Sequence, residues 1–383
     1  MTGRRWIWGA LPLVLLAGLV VVVTQMGLLD RLRGTFPPVE ELTVERVSLA
    51  RGSISLAVVN GGPEPLTVAQ VTVDEAFRQF TMTPSTTLNR YGRATITIPY
   101  PWVQDEAHLV TLLTSTGLTF EQEIELAVET PTTDAESLGL LTMIGIYVGV
   151  LPVAIGLLFL PLIRRLPPER FEVMLALTAG LLIFLGVDAL FEALETAEEV
   201  PAAFQGTALV LLGSLGAFLV LQLFSGAGTG RSGADGRRSI AWFIALSIGL
   251  HNLGEGLAVG AAYAIGEAAL TAFLVTGFMI HNTTEGLAIV APVAKDQPRL
   301  TTLAGMGGLA GIPTIIGAWI GGLAFTPTLA TLFISIGVGA IAQVVAVLFR
   351  MFNRGGEGVW RPAIAGGVLA GLAVMYVTGL LVG

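Results

Sequence analysis

The sequence predicts an all-α polytopic membrane protein, an eight-helix bundle that follows an N-terminal transmembrane anchor and a small extracytoplasmic β-sandwich. Only 13% of the 383 residues are charged, against roughly 25% in soluble domains. The mean hydropathy is +0.77. Apolar runs long enough to cross a bilayer surround a stretch in which apolar and polar residues alternate. These three observations define the predicted class.

The anchor is predicted at residues 6–28, an uncharged apolar run that follows Arg4 and Arg5. A spanning helix needs about 20 such residues. A signal peptide has an apolar region of about 7–15 residues and ends in a small-residue cleavage site, which does not follow this run. We therefore expect an uncleaved anchor with a cytoplasmic N-terminus, and a cleaved signal peptide is the alternative.

The β-sandwich is predicted at residues 40–130. This stretch alternates apolar and polar side chains, as in VERVSLARGSISLAVVN, and turn signals such as NGGPEP separate its segments. Several short strands at this spacing are typical of antiparallel sandwiches. Its single histidine, His108, has no Cys, Met or His near it in the sequence. We therefore expect a surface or loop histidine there rather than a copper ligand, and a linker follows at 130–137.

The bundle is predicted at residues 138–383. Lys and Arg occur in alternate connections, for example Arg164 and Arg165 or Lys295 and Arg299, whereas TAEEVP, YAIGEA and FTPT contain none. The positive-inside rule therefore places the first set in the cytoplasm and the β-domain and C-terminus outside. The eight predicted runs are 138–163, 171–195, 202–224, 239–262, 269–293, 303–325, 328–350 and 361–383.

Composition also limits the partners. The net charge is −8 and no basic stripe is visible, so a nucleic-acid partner is not expected. The chain contains no cysteine, which removes thiolate ligands and disfavours a copper(I) site. The expected surroundings are the lipid bilayer of the cell membrane. A homodimer is an open alternative to a monomer.

Two nearly identical segments carry two of the three histidines. HNLGEGLAVG begins at His251, and HNTTEGLAIV begins 30 residues later at His281. Each His precedes a Glu by four residues, so His251 and Glu255 share one helix face, as do His281 and Glu285. Each histidine lies about 18 Å from the predicted start of its helix, near the middle of a roughly 30 Å hydrocarbon core. The helices are consecutive and antiparallel, so both pairs can face each other.

The side chains of these motifs suit a divalent transition metal. Ionisable groups at mid-membrane are costly unless they are paired, hydrated or metal-bound. Imidazole nitrogen and carboxylate oxygen are ligands for Zn²⁺, and also for Mn²⁺ or Fe²⁺. Asn252 and Asn282 either bind the metal or hydrogen-bond its ligands, while Gly256 and Gly286 permit close helix approach. A proton relay or a metal-free His–Glu network is the alternative.

Acidic residues follow one face of the second predicted run. Asp188, Glu192 and Glu195 have helical spacing in the outer half of that run. With Glu198 and Glu199 they would attract cations from outside. The alternative for Glu195 onward is a solvated helix end. Asp188 and Glu192 are therefore the stronger candidates for contact with the metal.

The paired H-N-x-x-E-G motifs on the fourth and fifth runs resemble the ZIP family (Zrt/Irt-like metal transporters), in particular its bacterial GufA-like branch. The resemblance covers 138–383 and not the anchor or the β-domain. It implies an eight-helix bundle of inverted repeats that carries Zn²⁺, and often Fe²⁺, Mn²⁺ or Cd²⁺, toward the cytoplasm. The metal-binding positions that it implies are His251, Asn252, Glu255, His281, Asn282, Glu285, Asp188 and Glu192.

The chain departs from the family pattern at several points. The usual proline of H-N-x-P-E-G is replaced by Gly254 in one copy and Thr284 in the other. The sixth-run Glu of some members corresponds to Thr314, and the His-rich cytoplasmic loop is missing. Thr314 and Gln343 are weaker candidates, for which helix packing is the expected role.

These observations predict transport of a divalent cation by alternating access, with Zn²⁺ as transported substrate and no resident cofactor. No H-E-x-x-H motif and no further nucleophile are evident, so we do not expect an enzyme. A membrane-embedded metalloenzyme or a metal sensor that uses the same His/Glu site is the alternative.

Overall fold

The computed structural model describes residues 14–19, 21–22, 39–130, 132, 134–228, 233–264, 268–353 and 361–382. Within the predicted anchor, 14–19 and 21–22 are helical, and its other residues lie outside the described ones. The described chain forms a β-domain followed by a helical domain with long apolar helices, as in a membrane-embedded protein.

Nine strands form the β-domain within the described residues: β1 (Leu42–Ala50), β2 (Ser53–Asn60), β3 (Leu66–Val73), β4 (Ala76–Arg78), β5 (Thr81–Thr83), β6 (Thr87–Leu88), β7 (Arg93–Pro99), β8 (His108–Thr114) and β9 (Thr119–Ile124). One sheet has the order β1-β2-β7-β5, and the other has β4-β3-β8-β9 with β6 paired to β3. The predicted β-domain is therefore present as two antiparallel sheets.

The two sheets share one apolar core. Strand β2 buries Ile54 and Leu56, and strand β7 buries Ile96 and Ile98. Alternate side chains of a strand point to opposite faces, so the period of two places these residues inside. Each such side chain contributes about 1.5–3 kcal/mol of stability when it is fully buried.

His108 is buried in the β-domain, so the expectation of a surface or loop histidine is wrong. Its Nδ1 lies 2.9 Å from Oδ2 of Asp74, to which Tyr100 donates its hydroxyl at 2.7 Å. The backbone N–H of Leu109 donates to Oδ1 of Asp74 at 3.0 Å. Desolvation opposes the ionised carboxylate, but these hydrogen bonds hold the pKa of Asp74 below its ordinary value. We call Asp74, Tyr100, His108 and Leu109 the Asp74 cluster.

Ten α-helices form the described helical domain: α1 (Ala135–Gly145), α2 (Leu151–Leu157), α3 (Leu160–Ile163), α4 (Pro168–Glu198), α5 (Gly206–Gly228), α6 (Gly233–Ala264), α7 (Ala268–Val290), α8 (Leu300–Ala324), α9 (Pro327–Asn353) and α10 (Pro362–Val382). Short 3₁₀ helices lie at Ala202–Phe204 and Ala291–Asp296. In the described residues, six helical runs are long and apolar enough to cross a membrane.

The first predicted run, 138–163, is continuous in sequence but not in helix type. A π-helical turn, Ile146–Val150, joins α1 to α2. The N–H of Leu151 bonds to the carbonyl of Ile146, five residues earlier. Pro152 follows at the start of α2 and has no N–H for the carbonyl four residues before it. The helical turn at this point therefore contains one residue more than an α-helical turn.

The helices pack as two groups. In the first, α8 packs along α6 and α1, and α2 packs along α7. In the second, α9 and α10 pack along α4, and α9 also packs along α5. We call α1–α3 with α6–α8 the motif group, and α4, α5, α9 and α10 the flanking group. The groups meet mainly where α9 packs against α6, and α4 and α10 also contact α7.

Candidate metal centre

Helices α6 and α7 place the two H-N-x-x-E-G segments side by side. His251 and Glu255 lie in α6, His281 and Glu285 lie in α7, and all four side chains are buried. The ring centroids of the two histidines are 6.5 Å apart. The two motifs are therefore neighbours in the structure, as their position on consecutive helices predicted.

Two glycines allow the helices to approach closely at this level. A Cβ atom on Gly256 would collide with the carbonyl oxygen of Thr314 in α8. A Cβ atom on Gly286 would collide with the carbonyl oxygen of Val153 in α2. Each glycine directly follows a motif glutamate. A larger residue would therefore push apart the helices that position these glutamates, in keeping with the role of small residues between membrane helices.

Glu255 is the centre of the polar contacts. Its Oε1 lies 3.2 Å from Nε2 of His251 and also contacts Nε2 of His281. Asn282 donates from Nδ2 to the other oxygen, Oε2, at 2.8 Å. One potential ligand atom from each of His251, Glu255 and His281 lies within 4.8 Å of the others. We call these three residues and Asn282 the His–Glu cluster.

Backbone carbonyls orient the two motif asparagines. Asn282 donates to the carbonyl of Val148 in the π-helical turn at 2.9 Å. This carbonyl lies four residues before Pro152, which cannot donate to it. Asn252 donates to the carbonyl of Ala310 in α8 at 3.1 Å. The Oδ1 atoms of both asparagines are buried without a hydrogen-bond partner. Each asparagine therefore provides an unpaired acceptor within its motif.

Glu285 also presents unpaired acceptors. Both of its carboxylate oxygens are buried without a hydrogen-bond partner. The amide of Asn252 lies near this carboxylate, but without normal hydrogen-bond geometry. Glu285, His281 and Thr284 line a cavity of ≈ 10 Å³, at the lower limit for one water molecule. An unpaired buried acceptor costs about 1–3 kcal/mol, so these oxygens favour a donor or a cation that can reach them.

Asp188 and Glu192 lie outside the His–Glu cluster. Both are on α4 with exposed side chains. Helix α4 packs against α7, which carries His281 and Glu285, so this row of acids lies on a helix next to the cluster. Just beyond α4, burial and then the charge of Glu195 raise the pKa of Glu199. Metal binding by Asp188 and Glu192 stays a prediction.

The roles of the Val148 and Ala310 carbonyls could not be predicted from the sequence, since backbone atoms leave no residue-type signal of their own. The available signal for Val148 was Pro152. Thr314 is fully buried, and a Cβ on Gly149 would collide with its hydroxyl, which agrees with the expected packing role. Gln343 is also fully buried, and both atoms of its amide lack a partner among the described residues.

Comparison with known proteins gives no family. The chain matches no protein-family model and no curated protein. Among solved structures it is similar to the archaellum periplasmic stator protein FlaG from Sulfolobus acidocaldarius, with 14% identity and a TM-score of 0.20. That match covers 22% of this chain and 99% of the other. A TM-score this low supports no conclusion about fold or function.

Proposed function

We propose that the protein transports a divalent transition-metal cation, Zn²⁺ in particular, across the membrane toward the cytoplasm. The observation that carries the proposal is the His–Glu cluster, in which two imidazole nitrogens and a carboxylate oxygen lie within 4.8 Å of one another. Zn²⁺ binds imidazole nitrogen and carboxylate oxygen at about 2.0–2.2 Å. The ligand atoms of one ion therefore lie within about twice that distance of one another, which is comparable to the spacing in this cluster. Mn²⁺ and Fe²⁺ accept the same ligands.

Charge balance supports a divalent ion. Glu255 and Glu285 would contribute two negative charges in a buried region, and such charges are costly at mid-membrane unless they are compensated. One divalent cation would neutralise both. The amide oxygens of Asn252 and Asn282 could then bind the ion or orient its ligands. The ion is a transported substrate in this proposal and not a resident cofactor.

The two helix groups suggest how the ion would move. The cluster belongs to the motif group and lies beside the boundary with the flanking group, where Gly337 of α9 approaches His251. Movement of one group against the other would open the cluster to one side at a time, as in alternating access. Asp188 and Glu192 on α4 would attract cations toward it. The bundle is ZIP-like in this proposal.

We infer the orientation from the connections. The β-domain contacts Ala202 and Leu323, at the end of the helical domain whose connections contain no Lys or Arg. The positive-inside rule assigns that end to the outside. The β-domain is then extracytoplasmic, and the protein is a multi-pass protein of the cell membrane.

Zinc uptake by reconstituted protein tests the proposal. Liposomes that contain the full chain should accumulate Zn²⁺, and His251→Ala with His281→Ala should abolish uptake. His108→Gln is the matched control, because the third histidine lies in the β-domain, and it should retain uptake. Uptake by the double variant equal to that of the wild type would contradict the proposal. Accumulation inside a sealed vesicle also distinguishes transport from a metalloenzyme or a sensor.

A further inference from the structure

Strand β1 and the residue before it contact the helical domain at two points that belong to different groups. Glu41 accepts a hydrogen bond at Oε1 from the backbone N–H of Ala202, at 2.8 Å. Ala202 lies between α4 and α5 of the flanking group. Arg46 donates from Nη1 to the carbonyl of Leu323, in the last turn of α8 of the motif group. The β-domain therefore bridges the two groups at one face of the bundle.

The charges of the bridge match their partners. The last carbonyls of a helix have no partner within the helix and carry partial negative charge. The guanidinium of Arg46 therefore suits the end of the 25-residue helix α8. Burial lowers the pKa of Arg46, but a guanidinium stays charged in proteins and requires an acceptor. The Leu323 carbonyl supplies that acceptor, so loss of the bond would leave a half-buried charge unpaired.

The contacts on the two sides of the bridge are unequal. On the flanking side, the rings of Tyr91 and Phe204 stack with centroids 5.7 Å apart. Arg93 lies over the same Phe204 ring at 5.6 Å, and Glu45 holds Arg93 through bonds of 2.8 and 2.9 Å. On the motif side, the attachment is the hydrogen bond from Arg46 to the carbonyl of Leu323. The flanking side is therefore the firmer attachment.

We propose that the β-domain is a clamp on the outer face of the bundle. It stays attached to the flanking group through Glu41, Tyr91 and Arg93, and it restrains the motif group through the bond from Arg46 to Leu323. Movement of the motif group against the flanking group breaks the bond between Arg46 and Leu323. The link between the clamp and transport rests on the proposed function, whereas the bridge itself does not.

Distance measurements between spin labels test the bridge without any metal. The chain has no cysteine, so each introduced cysteine is a unique label site. One pair, Glu121→Cys with Ala324→Cys, joins the β-domain to the end of α8. The other, Glu121→Cys with Gln205→Cys, joins it to the flanking side. Adding Arg46→Ala should broaden the distance distribution of the first pair and leave the second unchanged.

Arg51→Ala is the matched control for the labels, because Arg51 is a highly exposed arginine of the same domain. It should leave both distance distributions unchanged. If Arg46→Ala broadened neither pair, or broadened both equally, the clamp would be overturned. This measurement gives an answer even if the protein moves no zinc.

Reversible cross-linking tests the link to transport. In reconstituted Arg46→Cys with Leu323→Cys, a short bifunctional thiol reagent that a reductant cleaves should lower Zn²⁺ uptake about tenfold or more, since a locked gate limits turnover. Reductant should restore uptake. The control, Tyr91→Cys with Phe204→Cys, joins the β-domain to the flanking side and should retain uptake when cross-linked.

The outcomes separate the two proposals. Absence of uptake in the wild type would refute zinc transport, and the spin-label distances would still decide whether the bridge exists. Uptake that persists with the cross-link from position 46 to position 323 in place would refute the clamp and leave transport intact. Equal loss in both cross-linked pairs would also refute it, because the flanking side would then have to move as well.

Discussion

Two groups of histidine and carboxylate lie in different parts of this molecule and differ in how their atoms are paired. In the Asp74 cluster, both oxygens of Asp74 accept hydrogen bonds, and Nε2 of His108 alone is left without a partner. Around the His–Glu cluster, both oxygens of Glu285 and the amide oxygens of Asn252 and Asn282 are unpaired. The carboxylate of Asp74 therefore has donors for both oxygens, whereas several buried acceptors around the His–Glu cluster have none.

Exposure widens the difference. The side chain of Asp74 is 41% exposed, whereas that of Glu255 is 3% exposed. Water can reach Asp74 and satisfy what the protein does not. The acceptors near Glu255 are buried, and the low dielectric of their surroundings increases the cost of leaving them unpaired. The first group joins the turn after β3 to strand β8, and the second binds a cation in the proposed function.

The largest loss of Zn²⁺ affinity is expected for Glu255→Gln. The substitution keeps the size of the side chain and removes the charge that both imidazoles contact. Zn²⁺ affinity of the purified protein, measured by calorimetry, should fall by about 100-fold or more, since even residues that only orient ligands contribute about 10- to 100-fold. Asp74→Asn, the matched change in the other group, should leave affinity unchanged. Equal affinities of Glu255→Gln and wild type would remove the basis for the comparison.

A smaller effect is expected for Asn282→Ala, which removes the amide that donates to Glu255. Zn²⁺ affinity should fall by about tenfold or somewhat more, as for residues that orient a ligand. Asn252→Ala is the internal control, because Asn252 donates to the carbonyl of Ala310 and makes no hydrogen bond to Glu255. It should cost less. The reverse order would mean that the amide oxygen of Asn252, and not the support of Glu255, matters more for the ion.

Mild acid should have the smallest effect on Zn²⁺ affinity, and it should affect the His–Glu cluster before the Asp74 cluster. Metal ligands must be unprotonated, so Zn²⁺ affinity should decline as the pH is lowered from neutral, because protons compete with the ion for the same ligand atoms. The lowered pKa of Asp74 acts in the same direction but at a lower pH. Its stabilising effect is present above the ordinary aspartate pKa of about 3.9, and it is lost as the pH falls through the lower value of the folded state.

Hydrogen exchange of the Leu109 amide, measured in parallel with Zn²⁺ binding, checks this separation. Protection of that amide should persist through the range in which zinc is lost and should decrease only below a pH of about 4. Loss of both signals at the same pH would contradict the assignment of separate roles to the two groups.

Much of this arrangement could be predicted from the sequence, and the limits have physical causes. The four-residue spacing in two consecutive helices predicted that His251, Glu255 and His281 would meet. It could not predict that Glu255 would be the centre and that Glu285 would lie apart, because the rotation of each helix depends on packing. Gly256 and Gly286 were identified as points of close approach, but their partners on α8 and α2 come from the fold.

The β-domain shows the same division. Alternating residues predicted the strands, because one face of each strand packs on a core, and Ile54 and Ile96 lie on that face. The strand order and the burial of His108 were not predictable, since they depend on pairing between distant segments. Arg46 gave no signal either, because an arginine on a strand is usually a solvated side chain.

The π-helical turn Ile146–Val150 has a consequence for anyone who recombines this chain with another. It adds one residue to an otherwise α-helical stretch, and one helical residue corresponds to a rotation of about 100° and a rise of about 1.5 Å. A deletion within the turn would therefore rotate the part of the chain before it, including the β-domain, relative to the rest of the bundle. Chimaeras that exchange the β-domain should be joined ahead of Ala135, so that this angular setting is inherited intact.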